Sequence, residues 1–136
     1  MTNYWLAKQE PTSYNLSSLK KDKKTVWDGV HNNLALKHIG AMKKGDLILF
    51  YHSGSEKQIV GIMEVTSKPY QNPDEKNERF LAIDVKYKKE LKNPVTLAEI
   101  KKQKKFKNWE LLRISRLSVM PVPKEIWNFI IKISKK

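Results

Sequence analysis

With 136 residues and 40% hydrophobic content the chain has the size of one domain with one core, too short for two independent ones. Its 27 Lys and Arg against 14 Asp and Glu give a formal charge of +13, which repels itself and calls for a polyanionic partner, most simply nucleic acid. No run of about 18 apolar residues and no basic-then-apolar leader follow Met1, so neither a membrane span nor a signal peptide is expected, and the expected location is cytoplasmic.

Tyr4-Trp5-Leu6-Ala7, closed by Lys8-Gln9-Glu10-Pro11, predicts a first strand over about 2–8 with charged residues at its carboxyl edge. A short helix follows near Leu16 to Lys20, capped by Asn15 or Ser17. Thr25-Val26-Trp27 returns toward the core and opens a turn, Trp27-Asp28-Gly29-Val30-His31-Asn32, that crowds an aromatic, an acid, an imidazole and an amide together. A packed fold has no need of that crowding, and it is the first functional hint.

Ala35, Leu36, Ile39 and Met42 recur at helical spacing, which predicts a helix over Asn32 to Met42 with Lys43 and Lys44 in its last turn and Gly45 just past its end. Leu47 to Tyr51 is short and uniformly apolar, a central strand, and Gln58 to Val65 is its hairpin partner, with Gly61 marking a bulge or a close backbone approach. Pro69 to Asn77 is a polar loop. Phe80 to Lys88 alternates as a strand with one wet side.

Thr96-Leu97-Ala98-Glu99 has the spacing of a capping box and starts a brief helix. Leu111 to Val119 reads as a return to the sheet, with Ile114, Leu117 and Val119 inward and Arg116 and Ser118 on the other face. Pro123 suits the start of a terminal helix carrying Ile126, Trp127, Ile130 and Ile131. Trp5 and Trp127 are expected in the core. The elements sum to an α/β (α+β) fold: one mixed sheet of five to six strands, curled or closed, with flanking helices.

Enzymatic signatures are sparse. The chain has no Gly-rich phosphate loop, no nucleophile elbow and no cysteine. His31 and His38 stand two helical turns apart, roughly 10 Å, too far to share one metal ion, so neither a metal nor another cofactor is expected. The alternative to a binding module is an enzyme acting on RNA or a small nucleotide with Glu10 or His52 at its pocket.

Together several motifs resemble the EVE domain. Tyr4-Trp5-Leu6-Ala7-Lys8-Gln9-Glu10-Pro11 is similar to its aromatic-Trp-Leu-x-Lys-x-Glu-Pro opening, and Trp27 to Asn32 to its Trp-Asp-Gly-Val-Arg-Asn element. Met42-Lys43-x-Gly45-Asp46, Phe50-Tyr51-His52-Ser53, Ile59-Val60-Gly61-Ile62, Pro94-Val95-Thr96-Leu97 and Arg116 to Val122 follow in the family's order, so the resemblance spans nearly the whole chain as a single domain. His31 stands where the family usually has arginine, and the loop from Pro69 to Arg79 is shorter than in many members. The resemblance implies a PUA-like pseudobarrel, related to the YTH readers of methylated adenine, and a non-catalytic reader of a modified, flipped base in DNA or RNA.

A flipped base needs an aromatic plane and polar edge partners. The candidate base pocket on that reading is Trp27 with Tyr51 as walls, Asn32, His31, His52 and Ser53 as polar contacts, and Lys8 and Glu10 at the rim. Candidate phosphate contacts are Arg116, Ser118 and the run Lys101, Lys102, Lys104, Lys105 and Lys107, where Trp109 interleaves with the basic residues. With only Arg79, Arg113 and Arg116 as arginines, the excess charge favours backbone attraction over base reading. The expected partner is nucleic acid, bound by a monomer.

Overall fold

Trp5-Leu6-Ala7 is an apolar triplet that must be paired on both edges and covered on both faces, and the fold is arranged around it. In the computed structural model, which describes residues 2–136, the elements run β1 (Tyr4–Gln9), α1 (Leu16–Asp22), β2 (Lys24–Trp27), α2 (Asn33–Ala41), β3 (Leu47–His52), β4 (Gln58–Val65) and β5 (Tyr70–Gln71). They continue with β6 (Leu81–Thr96), α3 (Leu97–Lys101), a 3-10 turn (Lys104–Phe106), α4 (Glu110–Arg113), β7 (Val119–Pro121) and α5 (Lys124–Ser134). The sheet order is β2-β6-β4-β3-β1-β7, with β5 paired to β6. β1 and β3 are parallel, and every other pairing is antiparallel.

The sheet is therefore mixed and open, with β2 and β7 at its two ends. Six strands form its path; the seventh, β5, is a two-residue piece inside the stretch expected to be loop. Tyr4 stacks on Trp127 of α5 with ring centroids 4.1 Å apart, fastening the terminal helix over β1. Trp5 and Trp127 are buried, as their apolar settings require.

Local chemistry explains most boundaries. Asn15 and Asn32 each accept from a backbone N–H three residues on, capping α1 and α2. Thr96 and Glu99 complete a reciprocal capping box at α3. At Gly61 an added Cβ would lie 2.8 Å from both the Lys89 carbonyl and Leu16 Cδ1, and the register between β4 and β6 shifts beside it. The bulge and the close approach expected there coexist.

Two expectations fail. Helix α2 ends at Ala41, so Lys43 and Lys44 lie beyond its last turn and away from its dipole. The buried Asp46 carboxylate draws the backbone out: it accepts from Lys43 N (2.9 Å), Asn3 N (3.1 Å) and the Trp5 indole N–H (3.0 Å). Likewise Leu111 to Ser118 is not a strand. Its first part closes into the single turn α4, where Ile114 N donates to Glu110 O, and only Val119–Pro121 reaches the sheet, alongside the Trp109 indole N–H donated to Pro121 O at 2.9 Å.

The loop after β4 is pinned by Tyr70, whose hydroxyl donates to Asp84 Oδ1 at 2.6 Å. Burial first, then the bond to Asp84, pushes this phenol up to about 12. A raised value means the folded state holds the proton more tightly, so the contribution is complete below the ordinary phenol value of about 10 and disappears as pH climbs through about 12. Denaturation midpoints of wild type and Tyr70→Phe are expected to differ at pH 9 and to converge by pH 12; a constant gap would refute this.

Candidate functional site

The residues of the expected base pocket do not meet in one cavity. Along β1 consecutive side chains project from opposite faces of the sheet. Lys8 and Gln9 therefore serve different recesses at the same strand end.

On one face is a recess of about 220 Å³ lined by Gln9, Tyr14, Thr25, Val26, Trp27 and Asp28. Trp27 forms part of its wall, but its residue is 5% exposed and its ring packs edge-on against Phe50 at 5.4 Å, leaving little ring for stacking. Gln9 Oε1 accepts from Glu10 N at 3.2 Å, which leaves the amide N–H groups of Gln9 without a protein acceptor among the described residues. Asp28 is exposed and has no ion pair or side-chain hydrogen bond among them.

On the other face Lys8, Tyr51, Ser53, Gly54, Lys57 and Lys101 surround a recess of about 280 Å³. Leu97 of α3, Leu111 of α4 and Ser115 complete its wall. Lys8 Nζ donates to the Ser115 carbonyl at 3.0 Å and lies 5.7 Å from the Tyr51 ring centroid. Burial pushes the Lys8 ammonium down and the Tyr51 phenol up from their ordinary values. Glu10 packs its carboxylate over Gly54, whose φ of +71° and missing Cβ admit it.

His52 belongs to neither recess. It is 8% exposed, accepts from Leu16 N through Nε2 (3.1 Å) and contacts Glu56 Oε1 through Nδ1 (2.9 Å), which fixes the proton on Nδ1. That hydrogen bond holds the Glu56 carboxyl below the usual range. Both ring nitrogens being engaged, His52 is a strut between β3 and the start of α1. Glu10 and His52 form no hydrogen-bonded acid–base pair.

His31 and Asn32 line neither recess. His31 Nε2 is 2.7 Å from Glu75 Oε1, and its ring lies 4.5 Å from Phe80, tying the turn to the loop that follows β5. The Asn32 carbonyl oxygen is spent on the helix cap. Lys101, Lys102, Lys104, Lys105 and Lys107 are all exposed, with Lys105 paired to Glu125 at 3.2 Å. Trp109 is not available to interleave with them: it is buried with its indole N–H donated to Pro121 O, and Phe106 of the 3-10 turn is buried beside it in sequence. Arg116 is exposed, and Ser118 contributes its backbone carbonyl to Lys8 N at 2.8 Å.

Sequence reasoning missed Gln9, Tyr14 and Lys57. Strand alternation could have separated Gln9 from Lys8; no local pattern marks Lys57, which reaches the recess through a turn at φ +47°. Among the described residues no three His, Asp or Glu side chains group as a metal site, and no helix is long and apolar enough to cross a membrane.

Comparison with known proteins adds to this geometry. The EVE domain family model matches residues 3–133. A Rhodopseudomonas palustris protein solved by NMR is 37% identical and superposes with a TM-score of 0.92, covering 98% of this chain and 93% of that one. Human thymocyte nuclear protein 1 is 29% identical over 170 residues, spanning 100% of this chain and 76% of that protein. The crystal structure of human THYN1 in complex with DNA containing 5-methylcytosine is 27% identical, with a TM-score of 0.90 over 99% of both chains.

Proposed function

Because the chain belongs to the EVE domain family, we propose that it is a non-catalytic nucleic-acid-binding module that reads a modified, flipped base in the recess beside Trp27. The observation that carries this reading is the near-complete structural match to a relative solved with DNA containing 5-methylcytosine. A charge of +13 supports a polyanionic partner independently.

The chemistry of the recess suits a modified cytosine. The free amide N–H groups of Gln9 would donate to the N3 and O2 acceptors, the Asp28 carboxylate would accept from N4, and the Val26 side chain offers apolar contact for a methyl group at C5. A base held there is framed by Trp27 and Tyr14 at the side, so shape and edge hydrogen bonds carry more of the recognition than face stacking.

The test is a binding array of DNA and RNA oligonucleotides, unmodified and modified, at one salt concentration, with wild type and Asp28→Asn. The wild type is expected to favour one modified base, and Asp28→Asn to reduce that preference by about tenfold, the worth of one base-edge contact. Circular dichroism should stay native, since Asp28 is exposed. No preference among bases in the wild type, or an unaltered preference in the variant, would overturn the assignment.

A further inference from the structure

We infer that the recess formed by Lys8, Lys57 and Lys101 is a phosphate site, which holds the backbone phosphate next to a base seated on the opposite face of the sheet. The phosphate assignment deepens the base-reader proposal and rests on it for the identity of the polyanion.

Three lysines line a recess with no acidic residue among its lining, the Glu10 carboxylate lying beside its wall over Gly54. None of the three has a carboxylate within ion-pair distance among the described residues. Lys8 is the telling member. Its ammonium is drawn partly out of water and held by a neutral carbonyl, Ser115 O at 3.0 Å, with the face of Tyr51 beneath it. Burial disfavours that charge, and a bound anion would restore what is lost.

The hydroxyls of Tyr51, Ser53 and Ser115 add neutral donors around the same space. A phosphate oxygen accepts from all of these groups, and a carboxylate of this chain occupies none of them. The geometry also links the two recesses. Lys8 and Gln9 are adjacent on β1 and pair with Tyr51 and His52 of β3, so an anion at Lys8 and a base at Gln9 would lie on opposite faces of the same strand end, one residue apart.

The experiment measures affinity for the preferred modified oligonucleotide and its unmodified counterpart across a salt series, using wild type, the double variant Lys57→Gln/Lys101→Gln, and the control Lys132→Gln/Lys135→Gln on α5. Loss of this one phosphate contact is expected to flatten the slope of log affinity against log salt by about 0.9 for duplex or about 0.7 for a single strand. Affinity for both oligonucleotides should fall by the same factor, so the modified-to-unmodified ratio is preserved. The control should leave the slope at the wild-type value. An unchanged slope in the double variant, or equal flattening in the control, would overturn the phosphate site.

Those results separate the two proposals. A lost slope with no base preference in any protein retains the phosphate site and removes the base reader; an intact preference with an unchanged slope does the reverse. The source of the phosphate is read with inorganic phosphate as probe, following the amide NMR signals of Tyr51 and Ser53. Shifts that saturate at millimolar phosphate in the wild type and vanish in the double variant assign a site for a terminal or free phosphate. No shifts, together with the altered salt slope, assign it to the phosphodiester. No shifts and no slope change refute both.

Discussion

Asp46→Ala is expected to lower the stability of the fold by about 3–4 kcal/mol, read by urea denaturation, against a whole-domain stability of roughly 5–15 kcal/mol. The carboxylate is buried and accepts three hydrogen bonds, two from backbone N–H groups and one from the Trp5 indole. An alanine removes all three acceptors at once. The indole donor is fully enclosed and keeps its whole desolvation cost, while Asn3 N and Lys43 N are only part-buried and recover part of theirs from water. Asp46→Asn keeps one carbonyl oxygen, which at the Oδ2 position still serves Trp5 and Lys43; it should cost less than half as much. A loss below about 1 kcal/mol for the alanine variant, or equal losses for the two, would show that these bonds do not hold the start of β1 to the start of β3.

Phe50→Ala should cost about 3–5 kcal/mol, the range for deleting a fully buried aromatic ring. Phe50 has no exposed surface, and its ring meets Trp27 at 5.4 Å and His52 at 5.5 Å, both edge to face. The deletion therefore removes the support behind one wall of the recess beside Trp27 as well as core volume. Phe50→Leu, which retains more of that volume, is the variant for binding: it should stay folded and lose base preference while its salt slope remains unchanged, because Lys8, Lys57 and Lys101 lie on the other face. A leucine variant with full base preference would mean that Trp27 needs no backing from Phe50 to shape the recess.

The sequence carried the order of elements well, because local rules decide it. Caps at Asn15, Asn32 and Thr96 and the apolar spacing of the terminal helix all act within a few residues of themselves. Where a distant partner decides, the letters mislead. Met42 leaves the helix because Asp46, itself bound to Trp5 and Asn3, captures Lys43 N, and nothing in the run from Ala35 to Lys44 announces that contact.

Leu111 to Ser118 has the alternation of a strand, yet it lies where α4 and its turn wall the lysine recess through Leu111 and Ser115. The candidate site was legible in part for the same reason. Trp27, Lys8, Tyr51 and Ser53 were picked out by residue type and by family resemblance. Their division between two faces follows from strand register, and the additional members Gln9, Tyr14 and Lys57 follow from pairing and turns.

The pairing of β1 with β3 is in register from Tyr4 with Leu47 through Gln9 with His52. Because side chains alternate, sliding β1 by a single position would exchange its two sets of neighbours, sending the ammonium of Lys8 toward the indole and the amide of Gln9 toward the lysines. Trp5 and Leu6 would trade places in the core at the same moment. The separation of the two recesses and the integrity of the hydrophobic interior are thus guarded by one alignment, and a misthreaded chain would be eliminated as unstable before its recesses could form.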